Sequence, residues 1–214
     1  MRVIYKLVFL LGLAACTYRG DGADPFSRKF AYFSMLNGDD IRSSCQNGVD
    51  KYRLVYNGNY AEQVRIYELY PEGLRVRILD GSPNLADGLF SNDPLRPFRG
   101  KSGIAELTKS ERERIVAAFA KDGLFSGAHQ GLRLPSEEFY WLGVGCHQGQ
   151  IYFNAWLYPA DSFKSLSFPA MLLAQDLSGV PYNEPRPWQG FPDQHQSFNL
   201  RIDGNGLGGI ARLF

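Results

Sequence analysis

The sequence contains little of the material from which metal centres and catalytic clusters are built. It has only three cysteines and three histidines in 214 residues. The histidines, His129, His147 and His195, do not have metal-ligand spacing and are interpreted as surface or hydrogen-bonding residues. The patterns GxSxG, SxxK and HExxH, which mark several classes of hydrolase, do not occur. We therefore expect neither a metal nor a cofactor.

An excess of positive charge and a long apolar run are lacking as well. Lys+Arg total 23 and Asp+Glu total 22, so the overall charge does not favour nucleic acid as a partner. The longest N-terminal apolar run, residues 7–13 (LVFLLGL), is far shorter than the roughly 20 residues of a membrane-spanning helix. Because 44% of the residues are hydrophobic, the composition is nevertheless that of a globular domain.

The N-terminus carries a targeting signal. Arg2 and Lys6 precede the apolar run, as in a secretory signal peptide, although a buried N-terminal strand or helix is the alternative. Directly behind the run, Leu13-Ala14-Ala15-Cys16 resembles the lipobox of bacterial lipoproteins. The resemblance implies that residues 1–15 are removed and that Cys16 is acylated and anchors the chain to the lipid bilayer.

The residues that follow extend this interpretation. Thr17, rather than Asp, comes after the cysteine, which in bacteria with two membranes resembles the pattern sorted to the outer membrane. Residues 16–25 are polar, contain glycine and lack periodicity, so they predict a lipidated flexible tether. One domain on the periplasmic side is expected over residues 26–214.

Cys45 and Cys146 remain once Cys16 is assigned to the lipid. In an oxidising compartment an even number of remaining cysteines predicts a disulfide, and two buried free thiols are the alternative. A catalytic Cys146 beside His147 is disfavoured, because adjacent residues in a strand point to opposite faces of the sheet.

The remaining pattern predicts an α+β fold, with an antiparallel twisted sheet of about six or seven strands, one main helix and Pro-rich loops. Thr108 and Glu111 have the spacing of a capping box and predict the helix over residues 109–121. A short helix is expected at 169–176, and loops at 81–101 and 181–192. Strands are expected at 51–56, 62–70, 74–79 and 197–202, with a turn at Asn57-Gly58 and a hairpin over 138–158.

Polar residues are densest around the second predicted strand, where they could form a recognition face. There we expect Gln63, Arg65 and Tyr67 to point outward, while the ordinary solvated side of a sheet is the alternative interpretation. The tryptophans are interpreted as core or loop anchors rather than as a sugar-stacking platform. The proposed face comprises Asn57, Tyr60, Glu62, Gln63, Arg65 and Tyr67.

Evidence for catalysis in the sequence is weak. Glu137, Glu138 and Asp161 could pair in space as a glycosidase dyad, but their spacing does not require it. Residues 204–209 match GxGxxG, yet only 210–214 follow, which is too short for the required helix. The sequence therefore favours a non-enzymatic binding or envelope-assembly module with an envelope protein or glycan as partner. The alternative is an envelope hydrolase that acts on cell wall or glycan.

Overall fold

The computed structural model describes residues 28–80, 100–188 and 198–208. Its helices are α1 (Arg28–Asn37), α2 (Asp39–Cys45), α3 (Lys109–Lys121), α4 (Asp161–Lys164) and α5 (Phe168–Ala174), and a 3-10 turn spans Leu124–Ser126. The strands are β1 (Lys51–Gly58), β2 (Gln63–Leu69), β3 (Gly73–Asp80), β4 (Lys101–Glu106), β5 (Arg133–Pro135), β6 (Phe139–His147), β7 (Gln150–Leu157), β8 (Asn199–Asp203) and β9 (Gly206–Gly208).

Six strands form the main sheet in the order β4-β3-β2-β1-β6-β7, and every neighbouring pair is antiparallel. A smaller antiparallel sheet has the order β5-β8-β9. The predicted α+β class with an antiparallel sheet is therefore confirmed. The predicted helix over 109–121 is confirmed as α3, and both halves of its capping box, Thr108 and Glu111, are formed.

The strands predicted at 51–56, 62–70 and 74–79 are confirmed as β1, β2 and β3, but the first turn is displaced. Asn57 and Gly58 belong to β1 and pair with β2, so the predicted turn at these residues is wrong. The chain instead reverses after Asn59, whose φ of 61° lies in the left-handed region. Asn57 remains in the strand because its side-chain amide bonds to the backbone of the turn that precedes β6.

The hairpin of β6 and β7 is confirmed, and its two glycines have a steric function. A Cβ on Gly143 would lie 2.7 Å from a methyl carbon of Leu124, and one on Gly145 would lie 2.5 Å from the ring of Tyr52. The pairing register of β6 runs without interruption. The glycines therefore make room for side chains, rather than forming a bulge or admitting another backbone.

Apolar layers cover both faces of the main sheet. The α1 face, as we name it, packs against α1, α2 and the small sheet. The α3 face packs against α3, the 3-10 turn, α4 and α5. Trp141 and Trp156 lie in this second layer with 1% and 5% exposure, which confirms their assignment to the core.

The disulfide between Cys45 and Cys146 is present and confirms the predicted pairing. It joins the end of α2 to β6 across 101 residues of sequence, and both cysteines are buried on the α1 face. Since Cys146 has no free thiol, a catalytic role for it with His147 is excluded.

None of the helices in the described part of the chain is both long enough and apolar enough to cross a membrane. The predicted signal peptide, Cys16 and the tether lie outside the described residues, as do residues 81–99 of the predicted loop and His195.

Candidate functional site

A groove of about 540 Å³ opens on the α1 face, at the end of the sheet where β3 and β4 are paired. The groove forms because the small sheet and the helices of this face do not cover β3 and β4 here, which leaves Arg75 and Ile104 exposed opposite each other. Ile104 is 65% exposed. The lining residues are Tyr70, Glu72, Gly73, Leu74, Arg75, Ile104, Glu106 and Leu107.

The wall of this groove is built around the ring of Tyr70. The ammonium of Lys51 lies 4.9 Å from the ring centroid, and the guanidinium of Arg75 lies 5.4 Å from it. The hydroxyl of Tyr70 donates a 2.9 Å hydrogen bond to Oε2 of Glu68. Burial, and secondly the negative charge of Glu68, raise the pKa of Tyr70, so the phenol stays protonated as a donor.

Behind the wall, a buried network of charges fixes Glu68. The guanidinium of Arg53 is fully buried and donates to Oε1 of Glu68 at 3.0 and 2.6 Å. The same guanidinium donates to both carboxylate oxygens of Asp40, each at 2.7 Å, and Lys51 contacts Asp40 at 3.0 Å. Two cations thus balance two carboxylates, as buried charges require.

The protonation state of this network follows from its composition. Burial by itself raises the pKa values of Asp40 and Glu68, but the charge and hydrogen bonds of Arg53 outweigh it and hold both pKa values below their ordinary range. Both carboxylates are therefore ionised at neutral pH, and Glu68 accepts the hydrogen bond from Tyr70 at the groove.

The recognition face predicted from the second strand is not a surface. Gln63, Arg65 and Tyr67 are 5%, 1% and 1% exposed, so the expectation that they point outward is wrong. Arg65 is held by Asp176 at 2.5 Å and by the backbone oxygen of Val180 at 2.6 Å. The physical reason is that the segment after α5 covers this part of the α3 face and supplies the acceptors that a buried guanidinium needs.

The other three residues of the predicted face make contacts within the chain. Asn57 is fully buried, and its side-chain nitrogen donates to the backbone that leads into β6. Tyr60 packs its ring against Tyr32 and Phe198 on the α1 face. Glu62 accepts a hydrogen bond from Arg186 at 2.5 Å. The six predicted residues are thus divided between two faces of the sheet and the turn that joins β1 to β2.

His147 belongs to a second polar cluster, at the end of the sheet where β6 stops. Its Nδ1 lies 2.6 Å from the hydroxyl of Tyr52 and 3.4 Å from a carboxylate oxygen of Asp50. Its ring stacks on Phe125 with the centroids 4.7 Å apart. Burial and the charge of Asp50 raise the pKa of Tyr52, so this phenol remains a hydrogen-bonding group. The cluster fastens the loop between α2 and β1, which contains Asp50, to the end of β6.

The carboxylates considered for a glycosidase lie apart from the groove. Glu137 and Glu138 occupy the turn before β6, and Asp161 begins the short helix α4. Within residues 28–80, 100–188 and 198–208, no group of three or more His, Cys, Asp or Glu residues could hold a metal ion. The groove was missed in the sequence because Tyr70 and Ile104 are brought together only when β4 pairs with β3. The sequence of β4, Lys101–Glu106, has no clear alternation of apolar and polar residues that would predict a strand.

Comparison of the chain with protein-family models, with curated proteins and with solved structures finds no match. The site is therefore interpreted from its own chemistry alone.

Proposed function

We propose that the chain is a lipid-anchored lipoprotein of the bacterial cell envelope, at the periplasmic face of the outer membrane. The observation that carries this proposal is the sequence Leu13-Ala14-Ala15-Cys16 directly after a basic and an apolar segment. Each buried CH₂ of an acyl chain contributes about 0.8 kcal/mol, so several chains on Cys16 hold a protein firmly. The Cys45–Cys146 disulfide supports the same location, because disulfides persist outside the reducing cytoplasm.

The domain behind the anchor is a non-enzymatic binding or envelope-assembly module, with the groove as its contact surface. Support comes from the arrangement of the groove, in which Glu72, Arg75 and Glu106 surround the exposed side chain of Ile104. An apolar centre with a charged rim is common in protein interfaces. The buried network behind Tyr70 supports it further, because a fixed wall avoids part of the entropy cost of binding.

The anchor is tested by replacing the residues of the lipobox. Cys16→Ser should move the full chain from the membrane fraction to the soluble fraction of the producing bacterium. The matched control is Thr17→Asp, which leaves the cysteine in place and should keep the chain in membranes while moving it from the outer to the inner membrane. Unchanged membrane association of Cys16→Ser would contradict the proposal.

The contact surface is tested by cross-linking in intact cells that produce the full chain. Arg75→Glu replaces the positive charge of the groove lining by a negative one beside Glu72 and Glu106, so cross-linked envelope partners should be reduced by at least about tenfold. Lys109→Glu makes the same change at a side chain that is 91% exposed on α3, and it should leave the cross-linked products unchanged. Equal yields of cross-linked products from the two variants would show that the groove is not the contact surface.

A second candidate function is an envelope hydrolase, and one observation favours it. Glu72 and Glu106 both line the groove, and most glycoside hydrolases use a pair of carboxyl groups for catalysis. Release of soluble fragments from cell-wall material by the full chain, abolished by Glu72→Gln or Glu106→Gln, would establish this function. The same release by both variants would assign it to a contaminant.

A further inference from the structure

The small sheet has one apolar face and one polar face. Leu134, Leu200 and Ile202 point toward the core and are almost fully buried. The residues between them point the other way, because successive side chains of a strand alternate between the two faces of its sheet. We call this polar side the outer face of the small sheet. It carries Arg133, Pro135, Asn199, Arg201 and Asp203.

Two arginines lie directly opposite each other on the outer face. Arg133 of β5 pairs with Arg201 of β8, and both side chains are exposed. The amide of Ile202 donates to the carbonyl of Leu132 at 2.9 Å, so the two arginines form a non-hydrogen-bonded pair, in which the Cα atoms are about 4.5 Å apart. Like charges in this position destabilise a sheet, and a bound anion would relieve their repulsion.

The charge of this pair is not neutralised by the described part of the chain. Within residues 28–80, 100–188 and 198–208, the side chains of Arg133 and Arg201 take part in no hydrogen bond and no ion pair. The buried Arg53 and Arg65, by contrast, both bind carboxylates. Asp203 is exposed on the same face, but it forms no ion pair with either arginine. The outer face of the small sheet therefore has a net positive charge.

We propose that Arg133 and Arg201 bind the phosphate groups of anionic lipids in the membrane to which the chain is attached. Guanidinium groups suit this ligand, because their planar array of donors binds phosphate oxygens in pairs. The proposal rests on the lipid anchor at Cys16 and adds a second contact between the domain and the same bilayer. The small sheet then lies on the membrane, and α3, on the opposite face of the main sheet, is turned away from it.

The segment that leads from the anchor ends at the helix that packs on this sheet. Residues 16–28 join the lipidated cysteine to the start of α1, and an extended segment of this length spans at most about 40 Å. The rings of Phe33 in α1 and Phe198 before β8 are 5.4 Å apart, and the amide of Leu207 in β9 donates to Oδ1 of Asn37 at 3.0 Å. The small sheet therefore belongs to the layer that the anchored segment enters.

The strength expected of two exposed arginines favours a membrane over a soluble acidic partner. Each arginine close to an anionic bilayer strengthens binding by roughly fivefold, so two arginines give about thirtyfold. Capture of a soluble partner requires much more, because association costs translational and rotational freedom. A domain that its own anchor keeps beside lipid phosphates has already met that cost, since tethering raises the effective concentration of the second site.

Flotation with lipid vesicles tests the arginine site without the anchor. The full chain carrying Cys16→Ser should bind vesicles of phosphatidylglycerol more strongly than vesicles of phosphatidylcholine, whose headgroups have no net charge. Adding Arg133→Gln/Arg201→Gln should weaken binding to phosphatidylglycerol by at least about tenfold. Adding Lys109→Gln/Arg114→Gln removes the same charge from exposed positions on α3 and should leave this binding nearly unchanged.

A further variant separates loss of charge from damage to the small sheet. Arg133→Lys/Arg201→Lys keeps both charges and should retain most of the binding. Equal binding to the two kinds of vesicle, or an equal loss in the lysine and glutamine variants of these arginines, would overturn the proposal. An equal loss in the α3 variant would overturn it as well. These chains have no lipid on residue 16, so the arginine site fails or stands separately from the lipid anchor.

Fluorescence quenching tests the orientation of the lipidated full chain in phosphatidylglycerol vesicles. A dye on Asn199→Cys, which lies on the outer face of the small sheet, should be quenched by lipids that carry a spin label on the headgroup. The same dye on Ser110→Cys, at an exposed position of α3, should not be quenched. Cys45 and Cys146 do not take up the dye, because they are joined in a disulfide. Equal quenching at the two positions, or stronger quenching on α3, would contradict the proposed contact.

Discussion

Arg53 donates a pair of hydrogen bonds, each 2.7 Å long, to the two carboxylate oxygens of Asp40. Because Arg53 lies on β1 and Asp40 on α2, this bidentate pair fastens the helix to the centre of the sheet. The same guanidinium bonds to Glu68, which in turn accepts the hydrogen bond of Tyr70 at the groove. The stability of the fold and the shape of the groove therefore depend on one buried cation.

Removal of that cation should be strongly destabilising. In Arg53→Met two largely buried carboxylates lose their partner, and we expect the free energy of unfolding to fall by about 3–5 kcal/mol. Urea unfolding of the parent and the variant measures this. Lys109→Met removes a cation that is 91% exposed and should cause little change. A similar small loss in both variants would show that the network contributes nothing.

The same network predicts the response to acid. The folded pKa values of Asp40 and Glu68 lie below their unfolded values, about 3.9 and 4.3. Their contribution is therefore complete above the unfolded values and is lost as the pH falls through the folded ones. Urea unfolding between about pH 5 and pH 3 should show a steeper loss in the parent than in Arg53→Met. Parallel pH profiles for the two proteins would contradict this assignment.

The disulfide should make a large contribution, because it closes a long loop. With a sequence separation of 101 between Cys45 and Cys146, the chain-entropy relation gives about 4–5 kcal/mol. The double variant Cys45→Ala/Cys146→Ala should unfold at a correspondingly lower urea concentration. Alkylation of the native protein before and after reduction gives an independent check, since modification of Cys45 or Cys146 without reduction would show that the bond is not formed.

The capping box of α3 offers a smaller, local prediction. The Thr108 hydroxyl accepts a hydrogen bond from the backbone N–H of Glu111, so Thr108→Ala leaves that donor without its partner. We expect a loss of about 1 kcal/mol in the free energy of unfolding. Thr108→Ser keeps the hydroxyl and should retain most of the stability. If serine is as damaging as alanine, the cap is not the cause.

Much of the sheet could be predicted from the sequence because its signals are local. The alternation of Leu74, Val76 and Ile78 gave the third strand, and Thr108 with Glu111 gave the start of the main helix. Helices α1 and α2 were not predicted, because Gly38 divides them into two pieces too short for a convincing period. The spacing of Tyr32, Met35 and Leu36, all buried on one side of α1, is the signal that was available.

The wrong assignment of Arg65 has a different origin. Alternation of polar and apolar residues is typical of a strand with one solvated face, and Gln63-Val64-Arg65-Ile66 of β2 has that pattern. Its acceptors, Asp176 and the backbone of Val180, lie more than a hundred residues further along the chain. Because these acceptors are so distant in sequence, the residues around Arg65 carry no signal that its charge is buried. The layer that covers the α3 face could therefore not be recognised from the sequence.

The central claim, that the domain is held to a membrane by lipid on Cys16, is tested most directly by mass spectrometry of the chain isolated from its own envelope. Trypsin cleaves after Arg19, so a processed lipoprotein should yield the peptide 16–19 with a diacylglyceryl group on the cysteine and an acylated amino terminus. Recovery of a chain that begins at Met1, or of the peptide 16–19 without lipid, would contradict the account.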